Sequence, residues 1–164
     1  MRKITKESSK AFVNFKPYKK DNTEVVIDHL NDPLGKDAKF YLHGYCIVLS
    51  GGNGVYRNID LCGWHTPTTR ERINGVLDAW GYDFRVAQRK GEQVLVRKEI
   101  TKSFIVHNLA KDIDPKSVGE TPKKFFGEQT LKLSDDSFDP EFAKRVFESR
   151  CFKNGTDLNA ITDF

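Results

Sequence analysis

The stretch TPTTRERINGVLDAWG, residues 66–81, decides the fold class. Thr66 suits an N-cap, because its hydroxyl can accept from a first-turn N–H, and Pro67 stands where its missing N–H costs nothing. Ile73, Val76, Leu77 and Trp80 then recur at i, i+3, i+4 and i+7, the spacing of one helix face. Gly81 supplies a left-handed stop. Cap, stripe and stop agree, so a helix opening at Thr66-Pro67 is predicted.

Upstream of that helix, KFYLHGYCIVLS from Lys39 to Ser50 carries aromatic and β-branched residues on both faces and reads as one strand. Gly51-Gly52-Asn53-Gly54 reads as a hairpin turn, since Gly and Asn tolerate positive φ. Val55 to Leu61 returns as the partner strand. Earlier still, Thr23 to Leu30 is β-rich, and Asn31-Asp32-Pro33 with Gly35 marks a loop. Ile4, Ser8, Ala11, Phe12 and Phe15 fall at helical spacing, which predicts a helix over about residues 5–14. Thr5 would cap it and Lys16-Pro17 would end it. Downstream, Tyr82 to Gln88 and Gln93 to Arg97 form a second hairpin across Lys90-Gly91. The order α-β-β-β-α-β-β predicts an α+β fold, a mostly antiparallel sheet covered on one face by two helices.

Beyond Glu99 the pattern weakens. Phe104 to His107 reads as a strand, and the polar run at 112–121 reads as loop. Phe125-Phe126 and Leu131 with Leu133 are apolar anchors. Asp139-Pro140 opens a helix in which Phe142, Val146, Phe147 and Cys151 share a face, with Asn154-Gly155 as its stop. The tail DLNAITDF is free to dock or fray. The expected organisation is a small α+β domain over 1–98 with a C-terminal extension over 99–164 packed on it.

No run approaches the roughly 20 apolar residues that a membrane helix needs. Met1 to Lys20 is basic and lacks the apolar segment of a secretory signal. The three cysteines, Cys46, Cys62 and Cys151, are an odd and sparse set, which fits reduced thiols in a cytosol. The net charge is only +4, but its distribution is uneven. Arg2, Lys3, Lys6, Lys10, Lys16, Lys19 and Lys20 crowd the first 20 residues, opposed there by Glu7 alone. Asp135, Asp136, Asp139 and Glu141 form an acidic cluster far down the chain. Such asymmetry fits an anionic partner for the N-terminal end. A solvated surface with compensating ends fits it too.

A second cationic group lies at the start of the central helix. Thr66, Thr68 and Thr69 surround first-turn N–H groups, and Arg70 and Arg72 follow. Helix N-termini attract anions, and threonine hydroxyls and arginine forks are ordinary phosphate contacts. The expected nucleic-acid site is therefore Lys3, Lys6, Lys10, Lys19 and Lys20 together with Thr66, Thr68, Thr69, Arg70 and Arg72. The structural alternative is that Thr66 merely caps, while Thr69 or Arg70 packs beside Ile73 and reaches Asp60 or Asp83. Among the aromatics, Tyr18 beside Lys19-Lys20 and Phe84 beside Arg85 suit base stacking.

His43-x-x-Cys46 and Cys62-x-x-His65 carry zinc-ligand types in paired spacings. Side chains at i and i+3 of a strand point to opposite faces, so one metal could not take both members of a pair, and no metal or cofactor is expected. Cys62 with His43 as base is conceivable across the hairpin, but a thiol nucleophile needs an electropositive, partly open setting. The sequence holds no G-x-S-x-G, P-loop or H-E-x-x-H motif. A non-catalytic role is thus favoured over a small enzyme with a His/Cys site.

The block GWHTPTTRERIN, Gly63 to Asn74, resembles a G-W-x-T-x-T-T-x-x-R-(I/L)-N block of small tailed-bacteriophage proteins. ITKESSKAF at 4–12, NTEV at 22–25, YLHG at 41–44 and the hairpin after the helix are similar to the corresponding parts of that family. The resemblance spans roughly residues 1–98. It implies an accessory protein of uncharacterised biochemistry, expressed in the cytoplasm of a bacterial host. The leading expectation is nucleic-acid binding. The alternative is a host-protein partner, with the chain inhibiting or modulating a host enzyme or antiphage defence system.

Overall fold

A computed structural model describes residues 1–29, 35–97, 128–149 and 152–161. Helix α1 (Lys3–Val13) is followed by strands β1 (Tyr18–Lys20), β2 (Thr23–Asp28), β3 (Asp37–Leu42), β4 (Tyr45–Gly51) and β5 (Tyr56–Asp60). Helix α2 (Pro67–Ala79) leads into the hairpin β6 (Phe84–Arg89) and β7 (Glu92–Arg97). The C-terminal part contributes β8 (Gln129–Lys132), β9 (Ser137–Phe138), helix α3 (Pro140–Ser149) and β10 (Thr156–Asp157).

The fold class is α+β, with the strands in two sheets ordered β1-β2-β3-β4-β5-β9 and β10-β8-β7-β6. Every described strand pair is antiparallel except β10 with β8. The central helix obeys its sequence signals: Thr66 accepts from the Thr69 N–H at 3.2 Å, Pro67 is its first residue, and Gly81 takes φ 86°.

The strand expected over Lys39 to Ser50 is two strands. His43 (φ 51°) and Gly44 (φ 80°) turn the chain back on itself. Positive φ at both central residues is the turn whose twist matches a two-residue hairpin. The apolar residues seemingly on both faces belong to two strands, and a register shift after Phe40 adds Ile47 to the buried side. Strand β1, over the charged Tyr18–Lys20, adds a further strand before α2. Helix α1 begins earlier than expected. Its N-cap is Arg2, with no side-chain cap, and Thr5 is buried inside it.

Residues 128–149 and 152–161 contribute to the main core. Strand β8 extends the β6–β7 hairpin, β9 pairs with β5, and Phe138, Ala143, Val146, Phe147 and Leu158 join the same apolar cluster as Phe12, Phe40 and Ile73. Ring contacts run unbroken from Phe40 through Phe12, Trp80, Tyr82, Phe84 and Phe147 to Phe152, with centroids 5.2–6.1 Å apart. Arg57 adds a polar joint, stacking 4.5 Å from the Trp80 ring and donating to the Tyr82 hydroxyl at 2.9 Å and to Glu141 on α3 at 3.4 Å. Tyr82 also donates to Glu141. Leu158 docks the tail. The strand expected at Phe104 to His107, the loop at 112–121, Phe125-Phe126 and Cys151 lie outside the described residues.

Candidate nucleic-acid interface

Helices α1 and α2 run side by side in the same sense. Arg2 meets Thr68 and Glu71, Thr5 meets Arg72, and Phe12 meets Trp80. Both N-termini therefore lie at one end of the molecule, and so do the positive poles of both helix dipoles.

The threonines and arginines of the α2 start divide into inward and outward groups. Thr69 and Arg72 are each only 2% exposed, so they are turned away from solvent. The Arg72 guanidinium donates to Thr23 Oγ1 at 3.2 Å and to Thr5 Oγ1, and it lies 3.5 Å from Glu71. Thr69 Oγ1 bonds Thr66 Oγ1 at 3.0 Å. Arg70 donates to the His65 carbonyl at 3.0 Å and to Gln93 Oε1 at 3.3 Å, and not to Asp60 or Asp83. Asp83 is taken by Arg97 at 2.9 Å. Thr66 is exposed and Thr68 half-buried, and Thr68 accepts from Arg2 at 3.2 Å. The period of a helix fixes which residues share a face, but only the position of α1 shows that the Arg72 face is the inner one.

Glu71 is the residue that sequence reading overlooked here. It accepts from the Arg2 N–H at 3.1 Å, Arg2 Nε at 2.8 Å and Thr5 Oγ1 at 2.7 Å. Burial pushes its carboxyl up, but the hydrogen bonds from Thr5 and Arg2 outweigh that and hold it lowered, at about 2. A folded value below the unfolded one stabilises the protein above the unfolded value, and the contribution is lost as pH falls through the folded one. Against the ordinary 4.5, the loss falls between pH 4.5 and about 2. At neutral pH it amounts to at most roughly 3 kcal/mol. Glu71→Gln should flatten the acid limb of the stability–pH curve in that window, read by urea melts at successive pH values. An identical acid limb in wild type and variant would show that Glu71 carries no such linkage.

The lysines form the outward surface. Lys3, Lys6 and Lys10 sit at i, i+3 and i+7 on one exposed face of α1, and Lys16, Lys19 and Lys20 are exposed before and along the edge strand β1. Lys3 lies 3.7 Å from Glu7. Lys6, Lys10, Lys16, Lys19 and Lys20 have no carboxylate partner among the described residues. The carboxylates of the acidic cluster are engaged elsewhere, by the 61–65 loop, α3, Tyr82 and Arg57. Asp136 accepts from the Gly63 N–H and from His65 Nε2, each at 2.7 Å. Asp139 accepts from the Glu141 N–H at 2.9 Å, and Glu141 holds Tyr82 and Arg57.

The His/Cys residues are not gathered. His43 sits at the β3–β4 turn with its ring 2.9 Å from the Asn22 amide, whereas His65 is paired with Asp136. Among the described residues no group of three or more His, Cys, Asp or Glu is placed to hold a metal ion. His43 and Cys62 do not form a base–nucleophile pair. The turn at His43-Gly44 removes His43 from the strand that faces β5, and Cys62 Sγ donates to the Cys46 carbonyl at 3.3 Å. Burial, with the Asp60 carboxylate beside it, pushes the Cys62 thiol up to about 11, and burial raises Cys46 as well. A nucleophile needs the opposite shift.

The proposed stacking residues are also redistributed. Phe84 is buried at 1% exposure, and Tyr18 is half-buried with its hydroxyl on Glu7 at 3.1 Å. Among the described residues the exposed rings are Tyr45, Tyr56 and Trp64. Trp64 and Tyr45 pack against each other with centroids 5.7 Å apart, beside the α2 start. The signal in the sequence was a tryptophan set between glycine and histidine in a loop, where no helical or strand stripe calls for one.

This α+β chain is a bacteriophage protein. It belongs to the family described as Kyanoviridae Gp96 protein, whose family model matches residues 1–111. No curated protein and no solved structure matches it. Among the described residues no helix is long and apolar enough to cross a membrane.

Proposed function

We propose that this phage protein is a non-catalytic nucleic-acid-binding accessory protein, engaging the phosphate backbone through the lysine face of α1, the edge strand β1 and the α2 start, with exposed Thr66 and half-buried Thr68. The observation that carries the reading is the run of exposed lysines at 6, 10, 16, 19 and 20, along α1 and the segment that follows it, with no carboxylate partner among the described residues. Unpaired surface cations are where counterion release yields binding energy. Fluorescence anisotropy with labelled DNA and RNA at stepped salt tests it. Affinity should fall linearly in a log–log plot, and Lys6→Ala with Lys10→Ala should weaken binding about tenfold and make the slope shallower by about two. Absence of salt-sensitive binding to both polymers at low ionic strength would overturn the proposal.

A second reading rests on a different surface. Val55 is 89% exposed and Tyr56 56% exposed at the β4–β5 turn, an apolar tip suited to a protein partner in the host. Affinity capture from nuclease-treated lysate distinguishes it. A stoichiometric partner lost with Val55→Ser and Tyr56→Ser supports it, and no retained partner removes it.

A further inference from the structure

The α2 start borders a cavity of about 410 Å³ lined by Leu42, His43, Ile47, Trp64, Thr66, Thr68 and Thr69. That volume lies near the small end of ligand pockets, which run from roughly 300 to 1,000 Å³, so it admits a single small group. Its floor is apolar, since Leu42 and Ile47 are 4% and 1% exposed. Its wall includes Trp64, still 49% exposed, with the Tyr45 ring 5.7 Å from the indole. The polar residues of its lining are Thr66, Thr68, Thr69 and His43.

We propose that this cavity takes one unstacked nucleobase of a single-stranded nucleic acid, stacked on Trp64, with its edge towards Thr66, Thr68 and His43. The inference rests on the nucleic-acid reading above and deepens it by naming the form of the ligand. Three observations select a base over an apolar protein side chain. A flat, half-exposed ring offers a π-face, which every base can use. Thr68 Oγ1 accepts from Arg2 but keeps its own O–H to donate, and His43 keeps a second ring nitrogen beside the one at Asn22, so a base edge can still find partners there, which an aliphatic side chain would not use. Cations adjoin it: Arg2, bridged to Glu71 yet with a side chain 54% exposed, donates to Thr68, and the α1 lysines follow along the helix. A base inside a duplex is stacked on both faces and cannot enter, so the pocket favours single strands.

The test uses the full chain with a labelled oligothymidylate, a matched duplex and free UMP. Binding of the single strand and of UMP should quench tryptophan fluorescence. Trp64→Ala should weaken single-strand binding about tenfold, the size expected for one lost base stack, and leave duplex binding within twofold. Trp64→Phe should keep most of the affinity, and Thr68→Val should lower it without abolishing the stack. Melting curves verify that each variant folds. Equal losses on single strand and duplex, or no loss on either, would overturn the pocket while leaving the lysine surface standing. No binding of either polymer with retained UMP quenching would overturn the nucleic-acid reading and leave a mononucleotide pocket. Absence of both would remove both ideas, and tight capture of a host protein dependent on Trp64 would assign the cavity to a protein side chain.

Discussion

Arg72→Ala should lower the unfolding free energy by about 3 kcal/mol, the scale of breaking a buried, hydrogen-bonded charge site. The guanidinium is 2% exposed and binds side chains from two elements, Thr5 on α1 and Thr23 on β2, from its own place on α2. Removing it leaves both hydroxyls without that donor and opens a void where two helices meet a sheet. Lysine should not rescue the site, because one ammonium on a flexible stem cannot reproduce a planar fork to two hydroxyls. Urea denaturation reads the effect as a lower midpoint at unchanged slope. A midpoint for Arg72→Ala within error of wild type would refute the idea that this side chain joins the layers. Arg72→Met separates packing from charge, since it keeps volume and discards the cation.

Gly75→Ala should also destabilise, by about 2 kcal/mol, although alanine is the better helix former by about 1 kcal/mol. A Cβ at this position would stand 2.5 Å from Thr5 Cγ2 and 2.6 Å from Ser9 Oγ. Neither atom can yield easily. Thr5 and Ser9 are buried, and the Thr5 hydroxyl already serves Arg72 and Glu71. Helix α1 would have to move outward, weakening the Glu71 and Arg72 bonds together. Thr5→Ser deletes the clashing methyl and keeps the hydroxyl, so the double variant should lose less than the two single losses combined. A Gly75→Ala protein more stable than wild type would mean that α1 shifts without cost.

The two predictions meet at Thr5, which the sequence offers only as a helix cap. Its buried place between two helices depends on α1 lying along α2 with the same polarity, a non-local fact. The α2 start was legible because capping, stripe and stop are all local chemistry, written in consecutive residues. The hairpin at His43-Gly44 was misread for a related reason. Twelve residues rich in β-formers satisfy one long strand or two short ones equally well, and only a partner on each side shows where the chain turns. Asn74 was likewise opaque. Its amide donates to the Val86 carbonyl at 2.9 Å and its oxygen accepts from the Val86 N–H at 2.7 Å, locking α2 to β6 through a backbone twelve residues away.

The candidate site divides along the same line. The exposed lysines were visible as a charge run, since a lysine on a short helix or edge strand has little alternative to water. Thr69 and Arg72 looked equivalent to Thr68 and Arg70 in the sequence, and packing separated them. The acidic cluster looked like a balancing charge, and its carboxylates hold the 61–65 loop and α3 in place.

By itself the sequence determined the helix opening at Thr66, its stop at Gly81, the α+β class and the basic N-terminal surface, because each depends on local backbone preference or on solvation. The tertiary structure alone decided that Arg72 is an interior joint, that His43 and Cys62 bond to different partners, and that Trp64 lines a cavity. Those outcomes turn on which distant residues share a face, and that is set when the three helices and two sheets close on a common core.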